Sequence, residues 1–141
     1  MRRFLLCLAV CGCFALSAET MYTDPDGTTF DVTDKVLTIT TPAGVSNTYN
    51  YVTFLSAVTN VVKAGPGILA ASADASYTGD WHFNAGEFHF SNAVGVFGKQ
   101  GTAAGESNGR VFVAAGATIR ALTSGSISYD VLKYKDVYLA D

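Results

Sequence analysis

The sequence predicts an all-β fold and, within that class, a β-solenoid, in which short strands form rungs that stack on one another. Apolar and polar residues alternate through Asp80–Ser91 and again through Arg110–Leu122, which is the period of a strand with one buried face. Both segments contain a small-Ala-Gly corner, and their glycines, Gly86 and Gly116, are 30 residues apart. That interval fits one rung plus an extruded loop. An antiparallel β-sandwich, in which Ala-Gly closes a tight hairpin, remains the alternative.

The composition indicates one extracellular domain and excludes one class of partner. The chain has 141 residues, enough for one domain with a core, and it is 49% hydrophobic but only 15% charged. Its net charge is −3. No cluster of Lys or Arg occurs beyond the first three residues, so we expect no binding to nucleic acid, whose phosphates require such clusters.

Residues 1–17 have the features of a signal peptide. Arg2 and Arg3 precede an apolar run that reaches Leu16, and a small residue at Ser17 fits a cleavage site. The run is too short to span a membrane. The sequence therefore predicts a protein that is secreted or held at the cell surface.

All the cysteines lie in this leader, so a cleaved chain has no disulfides. A second processing route is also open. The segment Val10-Cys11-Gly12-Cys13 loosely resembles a bacterial lipobox, in which Cys13 would carry the lipid of a lipoprotein.

Residues 18–62 are interpreted as an N-terminal cap and the first strands. Asp24-Pro25-Asp26-Gly27 has the composition of a turn. Asp24 and Asp26 also have the spacing of calcium-loop ligands, but no Glu follows at loop length, which favours the plain turn. Strands are expected at Thr28–Thr33 and Val36–Thr41 and, because of β-branching, within Ser56–Val62. The expected inward residues of the first two strands are Phe30, Val32, Val36 and Ile39.

Residues 63–122 are interpreted as rungs, with aromatic residues inside and ionisable residues outside. Strand alternation places one set of side chains inward, with Phe97 as a further anchor. The second corner is offset by one residue from the first, which predicts a different corner or a bulge. Residues 123–141 are expected to contain a terminal strand. The inward set is Trp81, Phe83, Phe88, Phe90, Val111, Val113 and Ile119, and the outward set is Asp80, His82, Glu87 and His89.

The 63–122 segment resembles the autotransporter-associated β-strand repeat, also called the passenger-associated transport repeat. The family's sequence steps match this chain in order and in approximate spacing. They are Gly65-Pro66-Gly67-Ile68-Leu69, Tyr77-Thr78-Gly79, Asn84-Ala85-Gly86-Glu87-Phe88, Asn92-Ala93 through Gly98, and the corner from Ala115 and Gly116 to Ile119.

The resemblance implies a right-handed parallel β-helix in the passenger of a bacterial autotransporter. Its expected work is structural display at the outer membrane and adhesion, with a cell-surface or polysaccharide ligand. The family also implies an outer-membrane translocator, which here would be separate or missing. A truncated fragment with no independent function is a further alternative.

The residues that could carry chemistry are few, and no cofactor is expected. Asp80, His82, Glu87 and His89 would form a metal site if both sides of the corner folded together. A polysaccharide-cleaving or carbohydrate-binding β-helix is the enzyme alternative, with Asp74, Asp80 and Glu87 as candidate carboxylates. No basic residue lies near them to neutralise a uronate, and alternation alone explains their outward position. We therefore expect neither catalytic nor metal-binding residues.

Overall fold

The computed structural model describes residues 20–48, 55–71, 77–90, 97, 109–122 and 136–141, and these residues are all-β. Eleven strands lie in these ranges. They are β1 (Thr20–Thr23), β2 (Thr29–Thr33), β3 (Val36–Thr40), β4 (Ser46–Asn47), β5 (Asn60–Ala64), β6 (Ile68–Ala71), β7 (Asp80–Phe83), β8 (Glu87–Phe90), β9 (Arg110–Val113), β10 (Thr118–Ala121) and β11 (Asp136–Leu139).

The strands form two sheets. The larger sheet is mixed and has seven strands in the order β1-β2-β3-β5-β7-β9-β11, and the smaller has four in the order β10-β8-β6-β4. β1, β2 and β3 pair antiparallel, whereas every pairing from β3 to β11 and every pairing in the smaller sheet is parallel. Within the described residues, the antiparallel pairing expected of a β-sandwich is thus confined to the first three strands.

Short corners connect the two sheets, and they repeat along the chain. After β3, β5, β7 and β9 the chain turns through residues 41–45, 65–67, 84–86 and 114–117 and enters the smaller sheet. The corners are hydrogen-bonded to one another: the Gly67 amide donates to the Thr41 carbonyl at 3.0 Å, Glu87 to Gly67 at 3.2 Å and Thr118 to Gly86 at 2.9 Å. This ladder satisfies backbone groups that a turn would otherwise leave to water.

Glycine is required where one corner rests on the next. Gly86 has a φ of +71°, and a Cβ added there would lie 2.5 Å from the carbonyl oxygens of both Gly65 and Gly67. Such a distance is well inside van der Waals contact, so a larger residue would force the corners apart.

The core lies between the sheets and is rich in aromatic residues. Trp81 stacks on Phe83 with centroids 5.7 Å apart, and Phe97 contacts both rings edge-on. The segments that lead back to the larger sheet add Leu55, Val58, Tyr77 and Phe97 to this core. The remaining buried apolar members are Phe30, Leu37, Ile39, Val61, Leu69, Phe88, Phe90 and Val111.

Most of the expected inward residues are confirmed. The buried ones include the four aromatic residues of β7 and β8, which are Trp81, Phe83, Phe88 and Phe90, together with Phe97 and Val111. Two others, Val113 and Ile119, are partly buried against the core. The expectation for Val36 is wrong: alternation in β3 buries Leu37 and Ile39, and Val36 belongs to the opposite face.

The one-residue offset between the two corners also has a structural cause. Ile119 pairs with Phe88 in register, and the corner at 114–117 is one residue longer than that at 84–86. The strand alternation is therefore preserved without a bulge inside either strand.

Several predictions lie outside the described residues. They concern the signal peptide, the lipidation site Cys13, the carboxylate Asp74 and the motif residues Asn92, Ala93 and Gly98. In the ranges that the structure does describe, there is no helix with the length and apolar character needed to cross a membrane.

Candidate functional site

The outward face of the larger sheet carries a row of ordered polar and aromatic side chains, which we call the outer ladder. It consists of Asp80 and His82 on β7, Arg110 and Phe112 on β9, and Asp136 and Tyr138 on β11. Parallel register places His82 beside Phe112, Phe112 beside Tyr138, and Arg110 beside Asp136. Two columns result, one charged and one aromatic.

The charged column is built around Arg110. Its Nη2 donates to Asp80 Oδ2 at 2.6 Å, its Nε lies 3.2 Å from the same oxygen, and its backbone amide donates to Asp80 Oδ1 at 2.9 Å. These hydrogen bonds from the Arg110 side chain lower the pKa of Asp80, and they raise the pKa of Arg110. Asp80 is thus held as a carboxylate by a structural partner.

The aromatic column consists of rings that stack on one another. His82 lies 4.6 Å from Phe112 with an interplanar angle of 6°, and Phe112 lies 4.9 Å from Tyr138 at 14°. The Arg110 guanidinium lies 5.3 Å from the Phe112 centroid. Each ring face between His82 and Tyr138 is covered by its neighbour, so these inner faces are closed to a stacking sugar.

A second charged group lies on the smaller sheet. Glu87 accepts a hydrogen bond from His89 Nε2 at 2.6 Å, and Arg120 Nη2 lies 3.7 Å from the same carboxylate oxygen. The contact with His89 is the main cause that lowers the pKa of Glu87. His89 was expected to face water, but its side chain is only 11% exposed, since it packs against Glu87 between Ala70 and Arg120 in register.

The structure does not bring the proposed metal ligands together. Asp80 and His82 are on the larger sheet, whereas Glu87 and His89 are on the smaller one, beyond the corner at 84–86. Among the described residues there is no group of three or more His, Cys, Asp or Glu that could hold a metal ion. Each member of the set has a structural contact instead.

Asp24 and Asp26 lie in the turn that connects β1 and β2. The Gly27 amide donates to the Asp24 carbonyl at 2.9 Å, the Thr28 amide donates to Asp26 Oδ1 at 2.8 Å, and Gly27 has a φ of +86°. These are the contacts of the plain turn that the sequence favoured.

The two carboxylates also reach the opposite sheet. Asn47 Nδ2, on β4, donates to Asp24 Oδ2 at 2.9 Å and to Asp26 Oδ2 at 2.7 Å. Asn47 is buried, and its register partner Leu69 is fully buried. The turn therefore closes over the first strand of the smaller sheet. We call this contact the turn latch.

Lys63 is a buried charge that the sequence analysis missed. Its side chain is fully buried, and Nζ donates to the carbonyls of Ala64 and Gly65 at 2.8 Å and of Ala85 at 3.2 Å. Burial lowers the pKa of Lys63 to about 8. The available signal was strand alternation, because Lys63 shares the face of Val61 in β5.

Lys63 joins two successive corners. The carbonyls of Gly65 and Ala85 belong to the corners at 65–67 and 84–86, so one ammonium group binds both. Its role in the described structure is to hold neighbouring corners together.

Comparison of the chain with protein-family models, curated proteins and solved structures finds no match in any of them. The resemblance to the autotransporter-associated repeat therefore stays a prediction.

Proposed function

We propose that this chain is a structural β-helix module that is exported and displays its loops at a bacterial cell surface, as in an autotransporter passenger. The observation that carries the proposal is the pair of parallel ladders joined by a short corner after each of β3, β5, β7 and β9. Stacked repeats of this kind form extended scaffolds whose rungs contact only their neighbours.

The connectivity supports a parallel β-helix. Each corner leads from the larger sheet to the smaller one, and each longer segment leads back to the next strand of the larger sheet. A connection between parallel strands of one sheet is almost always right-handed. We therefore propose the right-handed form.

The side-chain chemistry favours a scaffold over an enzyme. Asp80 is neutralised by Arg110, and Glu87 contacts His89 and Arg120. A glycosidase needs two carboxylates that face one substrate bond, whereas these two are on different sheets. Their contacts are those of groups that hold strands together.

The long connecting segments are the parts that would meet a ligand. They begin after β4, β6, β8 and β10, at the strand ends that lie away from the short corners. Loops on a rigid scaffold commonly carry binding. Adhesion to a cell surface or a polysaccharide through these segments is the function that we propose.

Export can be tested in a bacterium with two membranes, with the full chain compared to a version that lacks residues 2–17. We expect only the full chain to leave the cytoplasm and to be shortened to a mass that matches cleavage after Ser17 or Ala18. Cell fractionation and intact-mass measurement would show both. Equal distribution of the two versions, or an uncleaved and cytoplasmic full chain, would contradict the proposal.

A binding assay separates the scaffold from the enzyme. The purified chain would be incubated with neutral and acidic polysaccharides, and both retention and newly formed reducing ends would be measured. We expect retention without cleavage. Release of reducing ends that an Asp80→Asn variant of equal stability fails to produce would overturn the structural function.

A further inference from the structure

We propose that the free edge of β11 accepts a β-strand from another polypeptide, in parallel, and that this strand has the pattern basic–apolar–aromatic–apolar. The inference goes beyond display at a surface and does not depend on it. It requires only the observed pairing of β7, β9 and β11.

Among the strands that the structure describes, β11 lies at the edge of the larger sheet. It is the last strand in the sheet order, and its four residues are exposed, with Leu139 at 75%. The Ala140 amide donates to the Val113 carbonyl at 2.9 Å. Since successive residues of a strand point their backbone groups to opposite sides, Val137 and Leu139 direct theirs to the open edge. Such an edge is a template for strand addition.

The side chains of β11 repeat those of β7. β7 reads Asp80-Trp81-His82-Phe83 and β11 reads Asp136-Val137-Tyr138-Leu139, so both have the pattern acidic–apolar–aromatic–apolar. The strand between them, β9, reads Arg110-Val111-Phe112-Val113. The pairing of β7 with β9 is therefore an example, within the protein, of an acidic–apolar–aromatic–apolar strand bound in parallel to a basic–apolar–aromatic–apolar strand.

Charge complementarity selects the first residue of the partner strand. Along the charged column, Asp80 is followed by Arg110 and Arg110 by Asp136. Arg110 makes its close contacts with Asp80, at 2.6 Å. A basic residue added in register beyond Asp136 would continue the alternation of signs, whereas an acidic residue there would be repelled.

Ring stacking and apolar contact select the other three positions. Phe112 covers one face of Tyr138 at 4.9 Å, and Tyr138 remains 49% exposed. A partner aromatic ring in register would cover its second face. Val137 and Leu139 continue the columns of Val111 and Val113, and they would contact apolar partner residues.

The test uses the full chain and a fluorescent peptide of sequence Gly-Arg-Val-Phe-Val-Ala, a copy of residues 109–114, with fluorescence anisotropy as the readout. The control peptide has Glu in place of Arg. We expect saturable binding of the first peptide and binding of the second at least about tenfold weaker. Absence of binding, or equal affinity for both peptides, would overturn the proposal.

Two variants of the chain test the site. Leu139→Pro removes an edge amide, while its matched control Leu139→Ala keeps it, and only the proline variant should lose peptide binding by about tenfold or more. Asp136→Lys should reverse the preference in favour of the Glu peptide. Equal losses in the two Leu139 variants, or an unchanged preference in Asp136→Lys, would contradict β11 as the acceptor.

Sedimentation of the chain alone identifies a competing occupant. A monomer at all concentrations agrees with a vacant acceptor edge. A dimer that Leu139→Pro dissociates, and that excess Arg peptide does not, would mean that a second copy covers β11, and it would overturn the proposal.

Discussion

At the scale of single residues, Gly86 and Gly116 have related positions but different surroundings. Both have a positive φ, +71° and +83°, and both lie in a corner that leads into the smaller sheet. A Cβ at Gly86 would meet backbone oxygens of the preceding corner, whereas one at Gly116 would meet nothing within 4 Å. The pair therefore separates the cost of backbone conformation from the cost of stacking.

We expect Gly116→Ala to lower the free energy of unfolding by about 1 kcal/mol, the conformational cost alone. Gly86→Ala should cost roughly 3 kcal/mol or more, because two backbone oxygens must also move. Urea denaturation of both variants measures the difference. Equal losses would show that corner contact contributes nothing beyond φ.

Lys63 has a pH-dependent effect on stability whose sign follows from its pKa. Burial lowers the pKa from the ordinary 10.5 to about 8 in the folded chain. Between these values the unfolded chain holds a proton that the folded chain has released, so folding becomes more favourable as pH rises through this window. Below pH 8 both states are protonated and the effect is constant.

The Lys63→Met variant tests this linkage, because it keeps an unbranched apolar stem and removes the charge. The wild type should gain roughly 2 kcal/mol of unfolding free energy between about pH 7 and about pH 10 relative to the variant. Urea denaturation at several pH values would measure both curves. Parallel curves would mean that Lys63 keeps its ordinary pKa when folded.

Residue positions were easier to predict than residue contacts. Alternation alone placed Trp81, Phe83, Phe88 and Phe90 inside, because a strand with one buried face allows no other arrangement. The same rule marks the buried face for Lys63 but not the carbonyls that bind its ammonium group, and it places His89 on the outer face although His89 is covered. Lys63 is bound by the Ala85 carbonyl, and His89 lies beside Arg120 in register. Each of these neighbours is distant in sequence and is brought near only by the folding of other strands and corners.

At the scale of elements, the β1–β2 hairpin differs from the rest of the larger sheet. Its strands are antiparallel, and its turn is bound across to β4 through Asp24, Asp26 and Asn47. The asparagine is buried while Asp26 is exposed. The turn latch thus joins the hairpin to the smaller sheet, and the role of residues 18–62 as a cap stays a prediction.

Replacement of Asn47 by Ala should loosen the attachment of the β1–β2 hairpin to β4. The buried amide that joins the two carboxylates would be lost, and we expect the unfolding free energy to fall by about 1 kcal/mol. Hydrogen exchange of β1 and β2 should also become faster than exchange of β7 and β9. Ser46→Ala, an exposed neighbour on β4, is the matched control. Equal protection of the hairpin in both variants would argue against the latch.

At the scale of the whole molecule, the sequence predicted the strand class and two of the corners but not the order in which the strands pair. Repeated small-Ala-Gly corners marked the turns at 84–86 and 114–117, but parallel pairing already begins at β3, before Lys63. Pro42-Ala43-Gly44 forms part of a longer corner there; it has the same Ala-Gly pair, with Gly44 at a φ of +75°, but Pro42 stands where the other two corners have Asn84 and Ala114. The pairing order depends on long-range contacts that local pattern does not encode.

The contrast between the short corners and the long connecting segments has a consequence for how the sequence can change. Corner backbones touch one another, so a side chain at Gly86 would push against the carbonyl oxygens of Gly65 and Gly67 and disturb the hydrogen bond from the Glu87 amide to Gly67. For the connecting segments that follow β4, β6, β8 and β10, the entropic cost of closing a flexible loop grows only slowly with its length. The connecting segments can therefore change in length and sequence during evolution while the strands and corners stay constant. One scaffold could in this way present many different surfaces.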